Sequence, residues 1–250
     1  MGEGGWPSGT LLGLDLETTG VRRHGDVPVS FALVRYETGR AVARRSGIVD
    51  PGRPIPAGAT AVHGITTERA RREGMPLRAA LELLRDALVE AGRTGVPVVG
   101  MNLSYDLSLL DHQLLVLTGA GLREAGWDGP VLDVLVLDRH LDRYRRGKRQ
   151  LAHLCAHYAV ALGSAHEAGA DAEAAVLVLL ALCERFPELA HLKLAELTRS
   201  QATWHRDWAA DLAAHRARDG LPLDVPHDDG WPVARDGRLG ARPPTMGVDA

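Results

Sequence analysis

The first fifty residues alternate between apolar runs and clusters of turn-forming residues. Three apolar runs have the length and composition of β-strands, and the clusters that contain Gly20 and Gly39 are typical of turns. The short turn around Gly39 predicts a hairpin between the second and third strands. The predicted strands cover residues 11–16, 29–36 and 41–49, and a loop follows over residues 51–56.

Helical spacing takes over after residue 70. Leu77, Leu81, Leu84 and Leu88 recur at intervals of three and four, which places them on one face of a helix. Residues 170–186 are helical in pattern and apolar almost all round, so this helix is predicted to be buried. Short strands are predicted at 96–100 and 131–132, and further helices at 106–117, 134–141 and 150–158. This order of elements predicts an α/β fold with a mixed central sheet.

The character of the chain changes after Pro187. Residues 192–218 have the pattern of a long amphipathic helix, and the last 30 residues are rich in Pro, Gly and Asp. We therefore expect a flexible N-terminus at 1–9, one α/β domain at 10–186, and a C-terminal helical extension with an irregular tail at 187–250.

Composition narrows the class of protein. The formal net charge of −3 argues against binding of nucleic acid through bulk positive charge, but it is compatible with an enzyme that contacts a few phosphates. The sequence contains no run of about 18 apolar residues, so it predicts no membrane-spanning helix. Residues 1–9 lack the pattern of a secretory signal. Cys155 and Cys183 lie in apolar helical patterns, so we expect core thiols and a cytoplasmic location.

Asp15 and Glu17 carry the most informative chemistry. They are two residues apart at the end of an apolar strand, so their side chains project from the same face of the sheet. Two such carboxylates repel each other unless a counter-charge is present, and hard oxygen ligands favour Mg²⁺ or Mn²⁺. A solvated strand end explains the same pair without a metal, and the two residues alone leave both interpretations open.

Three further residues favour a metal site over a solvated strand end, namely Asp106, Asp171 and His166. Each of the two aspartates is predicted at the start of a helix, where an acidic residue is also common as a cap. Both follow elements that end at one edge of the sheet, which is where α/β sites assemble. His166 lies in a segment of small residues five positions before Asp171, and it is either a general base or an ordinary surface histidine.

Four motifs resemble those of the DnaQ-like exonuclease superfamily. They are Asp15-Leu16-Glu17-Thr18-Thr19-Gly20, Val62-His63-Gly64-Ile65-Thr66, Asn102-Leu103-Ser104-Tyr105-Asp106 and the pair His166 and Asp171, whose spacing resembles the DEDDh branch. The resemblance covers residues 10–186. Many relatives have His and Phe where this chain has Met101 and Tyr105, which affects the expected substrate preference and leaves the expected chemistry unchanged.

The resemblance implies a fold, an activity and a set of roles. The fold would be RNase H-like, a mixed central sheet flanked by helices, and the activity a 3′→5′ exonuclease on single-stranded DNA or RNA ends that releases nucleoside 5′-monophosphates. Two divalent cations, Mg²⁺ or Mn²⁺, would serve as cofactors. The metal ligands would be Asp15, Glu17, Asp106 and Asp171, the general base His166, and the residues near the terminal nucleotide Thr18, His63, Asn102 and Tyr105.

Several other features leave alternatives open. The chain could act alone or as a proofreading subunit docked to a polymerase or other partner through residues 187–250, and an inactive binding module is disfavoured because it would not need the acidic cluster. His153 and His157 are four apart on a helix but lack a third zinc ligand. Trp204 and Trp208 are expected to pack on the preceding domain. A basic stretch is either a solvated surface or a grip on substrate phosphates; it consists of Arg139, Arg143, Arg145, Arg146, Lys148 and Arg149.

Overall fold

The computed structural model describes residues 5–163, 167–221 and 230–234, and a mixed six-stranded sheet lies at its centre. The strand order is β4-β3-β2-β1-β5-β6. The β1–β2 and β2–β3 pairs are antiparallel, and the β1–β5, β5–β6 and β3–β4 pairs are parallel. The strands are β1 (Leu11–Thr18), β2 (Pro28–Glu37), β3 (Arg40–Asp50), β4 (Met75–Pro76), β5 (Val98–Gly100) and β6 (Val131–Asp133).

Helices cover both faces of this sheet. A short 3₁₀ turn at Trp6–Ser8 precedes β1. The α-helices in the described part of the chain are α1 (Ala57–His63), α2 (Thr67–Glu73), α3 (Leu77–Thr94), α4 (Leu103–Thr118), α5 (Val134–Leu141), α6 (Leu151–His157), α7 (Ala168–Arg185), α8 (Glu188–His191) and α9 (Leu194–Arg218). The expected α/β fold with a mixed sheet flanked by helices is confirmed. Within these described residues, no helix combines the length and the apolar character needed to cross a bilayer.

Side chains along β1 alternate between the two faces of the sheet, and each face packs on a different hydrophobic core. Leu14 and Leu16 belong to a core shared with α3 and α4 on one face of the sheet. Leu11, on the opposite face, belongs to a second core shared with α5, α6 and α7. Successive strand residues point to opposite faces, so Asp15 and Glu17 share the α7 face with Leu11. The pattern of β1 therefore directs both carboxylates toward one helix.

The sequence prediction differs from the structure at several element boundaries. The region 57–73, which the leucine spacing does not mark, contains the short helices α1 and α2. Helix α4 begins at Leu103 and not at Asp106, because Asn102 takes a left-handed conformation with φ of 62° immediately before it. Asp106 consequently lies inside the first turn, where its side chain is buried.

Helix α9 is joined to the edge of the sheet by side-chain hydrogen bonds. The Gln201 amide donates from Nε2 to the carbonyl oxygen of Val131 at 2.7 Å, and its Oε1 accepts from the Asp133 N–H at 2.8 Å. The backbone N–H of Val131 donates to Thr198 Oγ1 at 3.2 Å. These bonds satisfy backbone groups of edge strand β6 that would otherwise face an open sheet edge.

Candidate active site

Three carboxylates converge where β1 meets the first turn of α7. Asp15 and Glu17 come from the end of β1, and Asp171 comes from α7. One carboxylate oxygen from each lies within 4.8 Å of the others, which is the spacing of ligands around a cation. Among the described residues, this cluster alone gathers three His, Cys, Asp or Glu side chains in that way.

Gly13 explains why α7 comes close enough to contribute Asp171. A Cβ at Gly13 would lie 2.8 Å from the backbone oxygen of Ala172 and 3.1 Å from Val176 Cγ2. Only a glycine therefore allows the helix backbone to rest on the strand at this point. The contact fixes the residue before Ala172, which is Asp171, beside Asp15.

Asp106 completes the acidic site from the other side. Its side chain is only 5% exposed, and the negative charge of Asp15 is the strongest neighbouring charge that acts on it. It does not belong to the group of three within 4.8 Å. Asp15 thus faces Asp171 and Glu17 on one hand and Asp106 on the other.

The proximity of the acids shifts their protonation. Burial, followed by the charges of Asp171 and Glu17, raises the pKa of Asp15 well above its ordinary value. Burial and the charge of Asp171 raise the pKa of Glu17 from 4.5 to about 7. Burial and Asp15 raise the pKa of Asp106 in the same direction. Such a site binds divalent cations readily, because a cation replaces protons and relieves the repulsion.

Thr18 and Tyr105 form a hydroxyl pair beside these acids. Both hydroxyl groups donate to the carbonyl oxygen of Gly20 at 2.6 Å, and the two hydroxyl oxygens lie 2.9 Å apart. Burial raises the pKa of the Tyr105 phenol well above its ordinary value, so it remains a neutral donor. The structure therefore brings two of the four expected substrate-binding residues together.

Asn102 and His63 lie in two different cavities. Asn102 is exposed and lines a cavity of about 460 Å³ that Asp171 also lines. His63 ends α1, accepts the Ile65 N–H at Nδ1 over 3.1 Å, and lines a cavity of about 580 Å³ that extends to Glu167, directly before α7. The expected base, His166, lies outside the described residues.

Asp133 is a functional candidate that the sequence prediction missed. It ends β6, is 1% exposed, and its Oδ1 accepts the N–H groups of Asn102 at 2.9 Å and Leu135 at 3.0 Å. Burial raises its pKa to about 6 against the opposing effect of these donors. Asp133 directly follows the apolar strand residues Val131 and Leu132, as Asp15 follows apolar residues of β1, and that repetition was the available signal.

The basic stretch divides into structural and exposed residues. Arg145 and Arg149 both bind the carboxylate of Asp138, which is fully buried and also accepts the Tyr158 hydroxyl at 2.7 Å. The interpretation as a solvated surface is wrong for these two arginines, whose side chains are 7% and 16% exposed, and the interpretation as a phosphate grip stays a prediction. Arg143 instead forms an exposed ion pair with Asp211 at 2.9 Å.

The tryptophans of α9 pack on α5, as expected. The Trp204 ring stacks on His140 with 3.7 Å between centroids, and the guanidinium carbon of Arg139 lies 3.4 Å from the ring centroid of Trp208. His157 of the helical histidine pair lies 3.3 Å from the Asp142 carboxylate. Among the described residues, neither His153 nor His157 belongs to a group of three His, Cys, Asp or Glu side chains close enough to hold a metal ion.

A mixed sheet whose strand ends and helix starts supply buried acids defines the class of RNase H-like nucleases. Residues 12–179 match the model of the RNase T exonuclease family. The chain belongs to this exonuclease family, and the recognition of the DnaQ-like superfamily from its motifs is confirmed.

Curated relatives and solved structures agree with this family. The chain is 36% identical over 137 residues to a DNA polymerase III subunit epsilon-like protein of Rhodobacter capsulatus, covering 51% of this chain and 17% of that protein. It is 28% identical over 190 residues to the 3′-5′ exonuclease DinG of Bacillus subtilis, covering 74% of this chain and 19% of that protein. The chain thus spans less than a fifth of the length of either relative.

The fold is also found in E. coli exonuclease I in complex with a dT13 oligonucleotide. The match has a TM-score of 0.60 and 21% sequence identity, and it covers 72% of this chain and 42% of that chain. At this identity the match establishes a shared fold.

Proposed function

We propose that this protein is a 3′→5′ exonuclease that hydrolyses single-stranded nucleic-acid ends to nucleoside 5′-monophosphates. The observation that carries the proposal is the convergence of Asp15, Glu17 and Asp171 within 4.8 Å, with the charge of Asp15 acting on the buried Asp106. Family membership and the resemblance to a relative named as a 3′-5′ exonuclease support the direction of cleavage. The E. coli structure with an oligonucleotide supports a single-stranded substrate.

The acidic residues suit two divalent cations, and we propose Mg²⁺ or Mn²⁺. Carboxylate oxygens are the ligands that these hard cations prefer, and burial together with the charges of neighbouring acids raises the pKa values of Asp15 and Glu17, an effect that a cation would offset. Asp15, Glu17 and Asp171 would hold one cation, and Asp15 and Asp106 the other. When bound, the cations lower the pKa of the attacking water and stabilise the leaving 3′ oxygen.

The remaining side chains would handle the proton and the substrate. His166 would take the proton of the attacking water, a role proposed from its position five residues before Asp171. The hydroxyl pair of Thr18 and Tyr105 would orient the terminal nucleotide, and the Tyr105 ring offers a face for stacking on it. Asn102 and His63 would contact the same nucleotide from the two cavities that they line.

Degradation of 5′-labelled single-stranded DNA and RNA in Mg²⁺, Mn²⁺ or EDTA tests the proposal. We expect a ladder that shortens from the 3′ end, release of 5′-monophosphates, and no cleavage in EDTA. Asp15→Asn should abolish cleavage with an unchanged circular dichroism spectrum, and the same substitution at exposed Asp86 on α3 is the control. Cleavage by Asp15→Asn at the wild-type rate, or cleavage that persists in EDTA, would refute the two-metal assignment.

The role of His166 has its own test. His166→Ala should lower the rate by about 10²–10⁴, the usual contribution of a general base, and should remove the corresponding limb of the pH–rate profile. An unchanged profile would refute the base role.

A second candidate is a proofreading subunit of a polymerase. The resemblance to a polymerase III epsilon-like protein and to PolC-type polymerases favours it. We propose residues 10–186 as the exonuclease domain and 187–250 as the extension that a partner would contact. Gel filtration of the protein with and without a replicative polymerase tests this, and co-elution that is lost on truncation after residue 221 would support it.

A further inference from the structure

Two adjoining cavities, together called the cleft, lead away from the acidic site along residues of α5 and α9. Its inner part is the cavity of about 460 Å³ that Asn102 and Asp171 line, and its outer part is a cavity of about 700 Å³. Both parts share the side chains of Arg139, Arg149 and Trp208, so they adjoin each other. Helix α9, which forms one wall, lies outside the residues 12–179 that match the family model.

Arg139 gives this cleft a positive charge, on which the carboxylates of Asp133 and Asp138 act without forming an ion pair with it among the described residues. Its guanidinium lies against the Trp208 ring at 3.4 Å, and none of the ion pairs formed among the described residues includes it. The nearby Asp138 already binds Arg145 and Arg149. Burial lowers the pKa of Arg139 to about 10, so the guanidinium remains charged at neutral pH.

The outer part of the cleft combines aromatic rings with cations. His140 stacks on Trp204, and Arg143 is 66% exposed and pairs with an equally exposed Asp211, which is a weak interaction in water. Asp207 and Asp211 also line this part, so its charge is mixed, and the positive charge is concentrated at Arg139 near the acidic site.

We propose that this cleft receives the single strand that leads to the reacting 3′ end, with the Arg139 guanidinium contacting a backbone phosphate. A guanidinium matches the geometry of a phosphate with two parallel hydrogen bonds. Cations interleaved with aromatic rings are typical of surfaces that bind single strands without sequence preference. The inference rests on the proposed exonuclease function and assigns α9 a part in substrate binding.

The length dependence of cleavage tests the cleft. The kcat/KM for a 12-residue thymidine oligonucleotide is divided by that for the dinucleotide, which is too short to extend along α5 and α9. In Arg139→Met this ratio should fall about 10-fold, the worth of one charge-assisted hydrogen-bonded contact. The slope of log KM for the 12-mer against the logarithm of the salt concentration should decrease by about 0.7, which is the value for one phosphate contact on a single strand.

Two further variants keep the result interpretable. Methionine retains an unbranched stem against Trp208, and Arg139→Lys, which keeps the charge, should recover most of the ratio. Arg206→Met removes a charge from exposed Arg206 of the same helix, which lines neither cavity, and it should keep the wild-type ratio.

The outcomes separate this inference from the proposed function. A wild-type protein that cleaves neither substrate refutes the exonuclease proposal itself. An active wild type with an unchanged ratio in Arg139→Met overturns the strand path, as would be found if the cleft served a protein partner. Equal losses on both substrates, with an unchanged ratio, would place Arg139 at the terminal nucleotide and would also overturn the path.

Discussion

The position of Asp15 in the sequence was enough to predict part of the site. Its position two residues before Glu17 on a strand predicts a shared face, and that prediction needs no knowledge of the rest of the fold. The sequence could not show which helix would approach that face. The partners Asp171 and Asp106 came from the family resemblance, since cap positions alone do not distinguish them from ordinary helix starts.

Asp133 supports the site without facing the substrate itself. Its carboxylate holds the N–H of Asn102, the residue whose left-handed conformation starts α4. The start of α4 in turn fixes Asp106, which lies in the first turn of that helix. This route passes through backbone groups, so residue type and spacing could not reveal it.

Asp133→Ala should therefore lower kcat by about 10–100-fold, the usual effect of removing a residue that orients a metal ligand. It leaves the part-buried N–H of Asn102 and the buried N–H of Leu135 without their acceptor, and the loss at Leu135 should cost about 1–3 kcal/mol. Asp133→Asn, which keeps an accepting oxygen, should recover most of kcat. Steady-state kinetics and urea unfolding measure the two effects.

Asp111→Ala provides the control for this positioning role. Asp111 is equally buried and its Oδ1 accepts the Leu122 N–H at 2.8 Å, on a part of α4 away from the acids. Its substitution should lower stability and leave kcat near the wild-type value. If Asp133→Ala lost stability alone, with kcat unchanged, the positioning role would be disproved.

At the scale of elements, the contact between β1 and α7 decides whether the site exists. The pattern of residues 170–186 predicted a buried helix, and the apolar strand was equally clear. The order of the strands and the face on which α7 packs depend on contacts between distant segments, which local periodicity does not encode. The short helices α1 and α2 were not predicted because Ala70 is their only buried residue, so they lack the repeated apolar positions that mark a helix in the sequence.

Gly13→Ala should separate α7 from β1. The added methyl group would meet the Ala172 backbone oxygen at 2.8 Å, and a helix backbone moves only as a unit. Overpacking of this kind costs about 1–3 kcal/mol, and a shift of Asp171 by about 1 Å should lower activity on the order of 10²-fold. Activity as a function of Mg²⁺ concentration, with thermal unfolding, measures both effects.

Gly58→Ala is the matched control for this substitution. Gly58 lies in α1, and a Cβ there meets no atom within 4 Å. The alanine should stabilise the protein by about 0.5–1 kcal/mol, because glycine loses more backbone freedom in a helix, and activity should not change. Wild-type activity in Gly13→Ala would mean that α7 tolerates displacement and that the close contact is not required.

At the scale of the whole molecule, the site brings together segments that are far apart in the chain. β1 contributes Asp15 and Glu17, α4 contributes Asp106, and α7 contributes Asp171. Helix α9 is tied to β6 by Gln201 and adds Trp208 to the cleft beside the site. The sequence predicted this helix and its packing on the preceding domain, but not its bonds to β6, because a polar residue such as Gln201 gives no sign in the sequence of which backbone groups it will bind.

The acids also couple the stability of the whole molecule to pH. Glu17 has a pKa of about 7 in the folded protein against 4.5 ordinarily, so the folded state holds the extra proton in this window. Stability falls with rising pH wherever the folded state binds more protons, so without metal the protein should lose stability between about pH 5 and 7. The raised pKa of Asp15 acts in the same direction. Asp26, whose pKa is lowered, acts below this window, whereas burial lowers the pKa values of His112 and His140, which oppose the fall within it.

Thermal unfolding in EDTA from pH 5 to 7.5 should therefore show a falling Tm. Glu17→Gln should flatten the decline, since glutamine carries no titrating proton. Mg²⁺ at about 100 times its dissociation constant should add about 2.7 kcal/mol at pH 7.5, or very roughly 5–10 °C in Tm for a chain of this size. A Glu17→Gln variant whose Tm changes from pH 5 to 7 in EDTA just as that of the wild type would show that Glu17 holds no extra proton in the folded state, and a wild-type Tm that ignores Mg²⁺ at pH 7.5 would show that the carboxylates do not gather around a cation.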